Sequence, residues 1–447
     1  MLERLGEFCT AALAAHGCPS ASVAVVRDGT VVLAEAYGLA DVAAGRPATP
    51  DTGYLLASVT KPMTATAVCV LADRGLLDLD APLPAAELAM PAGVDWPAPT
   101  PRQLLQHRGG LTGHYDFQYG KDPEPPIDVS FYTRAYRRPG SGYEYANLGY
   151  RLLGTLAETA SGLPLPRLLA REVFAPLRLA SCALGTDAPG PVATRYSIDG
   201  RGYPAELSTS HPGATLGRAT AADLALFGHR HETLLAPSTV AATRTAAPIS
   251  DHLGYGLGWC VSRGAGPLIV SHGGGMGGVA TMVVAVPELA LSVAVLTNST
   301  GKAARDAIVD HLLRSEVPGY RPAMISTAGT APARPVAPAV GDWSGEITTP
   351  DGPVPVTLRV RRDGPADLTL AGGTATATAV PSGEWDLSAT FDLQLPTADA
   401  RRNSPLLGLT VSATQGALTG AARTYRDGDR TGWLGNLLSH PVRLIPR

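Results

Sequence analysis

Ser58-Val-Thr-Lys61 carries the side chains best suited to chemistry in this chain. A serine hydroxyl is a weak nucleophile until an adjacent base accepts its proton. Positions i and i+3 share a helix face, so a helical turn here brings hydroxyl and amine together. The type of cation matters. Of 36 basic residues only three are lysines, at 61, 121 and 302. Arginine stays protonated in proteins, whereas a buried lysine can lose its proton. Lys61 is therefore the expected base for Ser58. Tyr145-Ala-Asn147 adds a phenol that can relay a proton and an amide that can donate to and accept from a peptide-like substrate. Alone, it also reads as a loop tyrosine beside a helix-capping asparagine. His272-Gly-Gly-Gly275 adds an imidazole and a backbone that a ligand can approach closely, where an N–H can serve as an oxyanion donor. Alone, it also reads as a glycine-rich hairpin with an incidental histidine.

Elements must hold these groups. Apolar residues recur at helical spacing from Pro62 to Gly75, which puts Ser58 at the amino end of a buried helix. The free N–H groups and positive dipole end there favour developing negative charge. Strands are expected at 21–26 and 31–37, joined by a turn at Asp28-Gly29. Helices are expected over 62–75, 101–108, 146–160, 165–172, 220–227 and 302–314, and strands over 254–259, 268–271, 280–286 and 291–297. This order implies an α+β domain whose sheet is assembled from both chain ends. The expected division is a catalytic domain at 1–325, a Pro/Ala-rich linker at 326–341 and an all-β domain at 342–447. The last region alternates polar and apolar residues in roughly eight short strands, as a small barrel does.

The 447 residues are 45% hydrophobic and 17% charged, with a net charge of −3 and no basic block. That is a globular chain without the footprint of a nucleic-acid binder. No apolar run reaches the length of a membrane span. The first 15 residues contain Glu3, Arg4 and Glu7 and are a poor secretion signal. Cysteines 9, 18, 69, 182 and 260 are odd in number and scattered, as free thiols in a reducing compartment would be. A cytoplasmic location is expected. His229-Arg-His231 lacks a third ligand at metal spacing, so no metal is expected. No G-x-S-x-G elbow, phosphate-binding loop or dinucleotide fingerprint occurs, and no cofactor is expected.

The motifs S-x-x-K, Y-x-N and H-x-G, in that order, resemble those of the penicillin-binding protein and class C serine β-lactamase family, with its esterase, D-aminopeptidase and peptide-cyclase branches. Arg74–Asp80, Leu104–Leu111 and Tyr255–Trp259 resemble the same family, and the likeness covers about residues 5–315. The resemblance implies a serine β-lactamase-like α+β fold and these roles. Ser58 forms an acyl-enzyme. Lys61 and Tyr145 share the proton transfers, and His272 tunes Tyr145. Asn147, Gly274 and Gly275 contact substrate, with the N–H groups of Ser58 and Gly275 as oxyanion hole. Gly273 departs from the family's frequent Thr, which removes a donor for a substrate carboxylate. The second domain resembles the lipocalin-like barrel of penicillin-binding-protein-type thioesterases, in which a barrel arginine can approach the active site. Arg430 and Arg443 are the candidates here, and a surface position fits either equally well. The implied function is acyl transfer from a peptidyl ester or thioester, free or carrier-protein-bound, to an amine in specialised metabolism. The alternatives are a hydrolase, either an esterase or a D-amino-acid amidase, and a non-catalytic binding protein on this scaffold.

Overall fold

A computed structural model describes residues 4–91, 94–120, 127–185, 190–326, 337–382, 385–399, 406–425, 429 and 432–447. The catalytic part is built on a nine-stranded antiparallel sheet. Its strands are β1 (Ser20–Arg27), β2 (Thr30–Asp41), β3 (Arg46–Pro47), β4 (Ala247–Pro248), β5 (Leu253–Tyr255), β6 (Cys260–Ser262), β7 (Val270–Met276), β8 (Val279–Val286) and β9 (Leu291–Thr297), in the order β3-β2-β1-β9-β8-β7-β6-β5-β4. The two ends of this part of the chain meet at the centre, where Val23 faces Val295.

Residues 279–286 and 291–297 are buried along their whole length, so these strands carry apolar runs instead of alternation. Successive side chains enter different cores. Val23, Val25, Val293 and Val295 pack with helices α1 (Leu5–Ala15) and α5 (Ala303–Glu316). Ala24, Val26, Val283 and Ala294 pack on the other face with α2 (Thr60–Asp73), α3 (Asn147–Ser161) and α4 (Ala221–Arg230).

Three of the expected elements that differ in extent bear on the site. The strand expected at 254–259 stops at Tyr255. Gly258 has φ +88°, and a Cβ there would lie 2.3 Å from Ala65 Cβ, so the turn sits directly on α2. The strand expected at 268–271 instead runs through the triglycine to Met276, and the hairpin turns at Gly277-Gly278. The helix expected at 101–108 ends at Leu105, and His107 has φ +55°.

The second sheet is all antiparallel: β10 (Gly341–Thr349), β11 (Gly352–Val360), β12 (Pro365–Leu370), β13 (Gly373–Thr378), β14 (Val380–Ser382), β15 (Trp385–Phe391), β16 (Leu406–Thr414), β17 (Ala417–Tyr425) and β18 (Leu437–Pro446). Their order is β13-β12-β11-β10-β18-β17-β16-β15-β14, a nearly closed barrel. Alternation sends Ile347, Leu358, Leu368, Leu387, Leu409 and Leu444 into its packed interior. Ala339, from the end of the expected linker, is buried in the same core, while 327–336 lie outside the described residues. Among the described residues no helix is long and apolar enough to cross a membrane.

Candidate active site

Ser58 sits in a 3₁₀ turn, Ala57–Val59, that leads into α2. Ala57 has φ +49°, a left-handed conformation that costs an L-residue about 1–3 kcal/mol and persists where surrounding contacts enforce it. Thr60 is one such contact: its Oγ1 donates to Ala57 O at 2.7 Å and accepts from the Gly217 N–H at 2.8 Å. Ser58 is half-buried, whereas every residue from Thr60 to Leu71 is buried.

Lys61 is 0% exposed, and burial pushes its pKa well below the usual lysine range. Its Nζ lies 3.2 Å from Ser58 Oγ, 2.7 Å from Asn147 Oδ1 and 3.2 Å from Ala214 O. A neutral amine has two hydrogens and one lone pair. The two carbonyl oxygens can take the hydrogens, which leaves the lone pair for the serine proton. Asn147 opens α3 but is not its cap; Ala146 holds that position. The Asn147 side chain turns inward, with Nδ2 donating to His114 O at 2.9 Å.

The Tyr145 ring centroid is 4.6 Å from Lys61 Nζ, and its hydroxyl interacts with the Ser58 side chain. Burial, reinforced by the Tyr115 phenol, raises its pKa well above the usual tyrosine value. A neutral amine beside a neutral phenol makes Lys61 the group able to take the first proton and Tyr145 a group able to donate one.

His272 differs from the sequence expectation. Its Nε2 lies 2.8 Å from Tyr255 Oη and its Nδ1 2.9 Å from Gly273 O. Nδ1 therefore carries the proton and Nε2 accepts from Tyr255, so the hydrogen-bonded partner is Tyr255, not Tyr145. Burial, then Lys61, pulls the His272 pKa down to about 3. β5 and β7 flank β6, and the register sets Tyr255 opposite Cys260 and Cys260 opposite Ser271, one residue before His272.

The glycines of the third motif are not equivalent. A Cβ on Gly274 would lie 2.1 Å from Leu56 O, so glycine lets β7 pack against the segment that carries Ser58. A Cβ on Gly275 would lie 2.7 Å from Lys302 Cε. A Cβ on Gly273 would meet nothing nearer than Met282 Cε at 3.4 Å, so close packing does not require glycine there. Gly273, Gly274, Gly275 and Ser58 all line a cavity of about 850 Å³, together with Tyr115, Tyr143, Tyr145 and Tyr255.

Two site residues were missed from sequence. His107 accepts the Glu144 N–H on its carbonyl at 2.8 Å and the Ala146 N–H on Nδ1 at 3.1 Å, so it brackets Tyr145. Burial, then Lys61, drives its pKa well below the usual histidine value, which keeps Nδ1 free to accept. It stands in Leu104–Leu111, a stretch read only for its resemblance. Lys302 lines the cavity beside Gly275, together with Arg305. Burial and Arg305 lower its pKa from the usual lysine value. Its rarity was the available signal. Arg305 is buried and donates to Gly274 O and Thr281 O, both at 3.1 Å, which ties β7 to β8.

The remaining candidates lie elsewhere. Arg443 is exposed on β18, and Arg430 lies outside the described residues. His231 is buried with Nδ1 3.0 Å from Gly228 O. Among the described residues no three His, Cys, Asp or Glu side chains are grouped to hold a metal. All five cysteines are free and buried.

The sequence model of the Beta-lactamase family matches residues 7–317. The chain is 33% identical over 228 residues to Esterase EstB of Burkholderia gladioli, covering 46% of this chain and 57% of the esterase. It is 28% identical over 360 residues to the D-aminopeptidase of Brucella canis, covering 74% of this chain and 64% of that protein. The chain thus spans less than two thirds of the length of these curated relatives. The crystal structure of SurE with D-Leu superposes with a TM-score of 0.63 at 23% identity, over 98% of this chain and 99% of SurE. That likeness is one of fold and extends across both the catalytic part and the barrel.

Proposed function

The chain belongs to the beta-lactamase family, and from that premise we propose that it is a serine acyltransferase working through a Ser58 ester. The observation that carries the reading is the buried Lys61 amine, 3.2 Å from Ser58 Oγ and offered only hydroxyl and carbonyl partners. In the first step Lys61 takes the Ser58 proton and Oγ attacks the carbonyl of an ester or thioester. The oxyanion is stabilised by the N–H groups of Ser58 and Gly275. Collapse expels the alcohol or thiol, which receives its proton through Tyr145. In the second step an amine attacks the acyl-enzyme and gives up a proton along the same path. Ser58 recovers its hydroxyl, and the product is an amide, or a macrolactam when the amine belongs to the acyl chain.

Three features support an amine acceptor and a peptidyl donor. The cavity, about 850 Å³, is within the size range of pockets that enclose whole ligands and is walled by tyrosines. Gly273 offers no hydroxyl to a substrate carboxylate, whereas penicillins and D-Ala-D-Ala termini present one. The fold likeness to SurE, solved with D-Leu, extends across the barrel.

A second reading replaces the amine by water. It is supported by the esterase and the D-aminopeptidase among the relatives. Both readings share the acyl-enzyme and differ in what attacks it. A partition assay separates them: the protein is given a peptidyl thioester mimic at rising amine concentrations, and amide and free acid are measured. Amide that rises with amine supports transfer. Free acid alone at every amine concentration rules transfer out.

A further inference from the structure

Residues 137–146, which deliver Tyr145 to the site, form no helix or strand. Their position depends on side-chain and backbone anchors. One anchor is the Glu144 carboxylate, next in sequence to Tyr145. Thr112 Oγ1 donates to its Oε1 at 2.6 Å, and Trp385 Nε1 donates to its Oε2 at 2.6 Å. The Arg423 guanidinium pairs with Oε1, and Arg137 Nη1 stands 3.8 Å from Oε2. Thr112 and Arg137 belong to the catalytic part. Trp385 and Arg423 come from barrel strands β15 and β17. The Glu144 and Arg423 side chains are 15% and 20% exposed, so this pair is far less screened than a surface one. On the opposite side, the backbone of Glu144 and Ala146 is held by His107. Tyr145 is thus fixed between a histidine of the catalytic part and a carboxylate clamped by the barrel. A second barrel contact reaches the same cavity wall: Tyr115 exchanges two backbone hydrogen bonds of 2.8 Å with Leu437 of β18.

We propose that the barrel is a positioning element of the active site, in which Trp385 and Arg423 hold the Glu144 carboxylate and through it set Tyr145 beside Ser58 and Lys61. Trp385, Arg423 and Glu144 touch no reacting atom; they act through Tyr145. The proposal rests on the reading that Tyr145 moves a proton in acyl transfer at Ser58.

The test uses the full-length chain, an aryl ester as acyl donor, and kcat, KM and the pH profile as readouts. Arg423→Met removes the guanidinium, and Trp385→Phe removes one N–H while keeping a ring. Asp429→Asn is the interface control. Asp429 joins the barrel to Thr300, Tyr203 and the Ile198 N–H, none of which belongs to the Tyr145 segment. Misplacing a reacting group by about 1 Å can cost about 100-fold, so Arg423→Met is expected to lower kcat by about 10- to 100-fold with KM changed less than about 2-fold. Asp429→Asn is expected to leave kcat within about 2-fold of the parent. In a Tyr145→Phe background, Arg423→Met is expected to add less than about 2-fold, because its effect passes through the missing hydroxyl. An Arg423→Met effect as large in that background as in the parent, or no larger than that of Asp429→Asn, overturns the proposal. Should Arg423→Met not fold, Trp385→Phe carries the same comparison. The acyl-enzyme reading fails separately: turnover that survives Ser58→Ala refutes it, whereas an inactive Ser58→Ala beside a fully active Arg423→Met leaves it standing and refutes only the positioning role.

Discussion

On the Ser58 side of Tyr145, Lys61, His107 and His272 are buried among hydroxyls, carbonyls and amide N–H groups, and burial drives all three toward their neutral forms. On the barrel side, the Glu144 carboxylate lies between Arg137 and Arg423. One side withholds counter-charges and the other supplies them. The reason is chemical. A base must be uncharged to accept a proton, whereas a clamp is stronger when its hydrogen bonds are charge-assisted. The two treatments of buried polarity meet at one residue, Tyr145, which needs a neutral neighbour for its chemistry and a charged one for its position.

The largest effect is expected from putting a permanent charge on the uncharged side. Lys61→Arg replaces a neutralisable amine with a group that stays protonated, and the Ser58 acylation rate should fall by about 10³-fold or more, as measured by aryl-ester burst kinetics. Asn147→Asp does this less severely, by placing a carboxylate where an amide oxygen now lies 2.7 Å from Lys61 Nζ. An opposite charge raises the lysine pKa. Because the free amine is the active form, the acid limb of kcat/KM should move to higher pH, with a loss of about 10- to 100-fold at pH 7. An unchanged acid limb would mean that Lys61 is not the base.

What could be read from the sequence divides along the same line. Ser58 and Lys61 are three residues apart, and local helical geometry alone brings them together. The sheet shared between chain ends and the β-rich second unit were legible from periodicity and composition. The His272–Tyr255 pairing was not, because it depends on which strands become neighbours across the sheet. The triglycine reads as a loop in sequence, yet it is strand. Its middle glycine, Gly274, answers a clash with Leu56 O, which lies more than 200 positions earlier in the chain. His107 was visible only as part of a familiar stretch, since its role is set by the backbone of 144–146 folding over it. The Glu144 clamp was out of reach, since Trp385 is 241 positions away and a lone glutamate before a tyrosine has no pattern.

Acid stability gives a smaller effect of known sign. His272 has a pKa of about 3 in the folded protein, against an unfolded value of about 6.5. As pH falls through that window the unfolded state takes up the proton first, so stability is present above about pH 6.5 and is lost toward pH 3. Tm should fall between pH 7 and pH 4, and His272→Gln should flatten that fall. An equally steep fall in the variant would place the titration elsewhere. The third motif offers a last pair. Gly274→Ala pushes a Cβ against Leu56 O and should destabilise by about 1–3 kcal/mol in denaturant titrations. A Cβ on Gly273 meets only ordinary contacts, so Gly273→Ala should leave Tm within a few degrees, and Gly273→Thr should raise penicillin acylation of Ser58 by restoring a carboxylate donor. No gain with penicillin would show that Gly273 does not set carboxylate selectivity.

Acyl transfer at Ser58 requires a covalent ester there, and intact-protein mass spectrometry tests that directly. The protein is incubated with an aryl ester, a peptidyl thioester mimic and a penicillin, each beside a Ser58→Ala control. A mass gain of one acyl group is expected from the thioester in the parent, none in Ser58→Ala, and discharge of the adduct on adding an amine. An adduct that persists in Ser58→Ala, or substrate turnover with no dependence on Ser58, would contradict acyl transfer at Ser58.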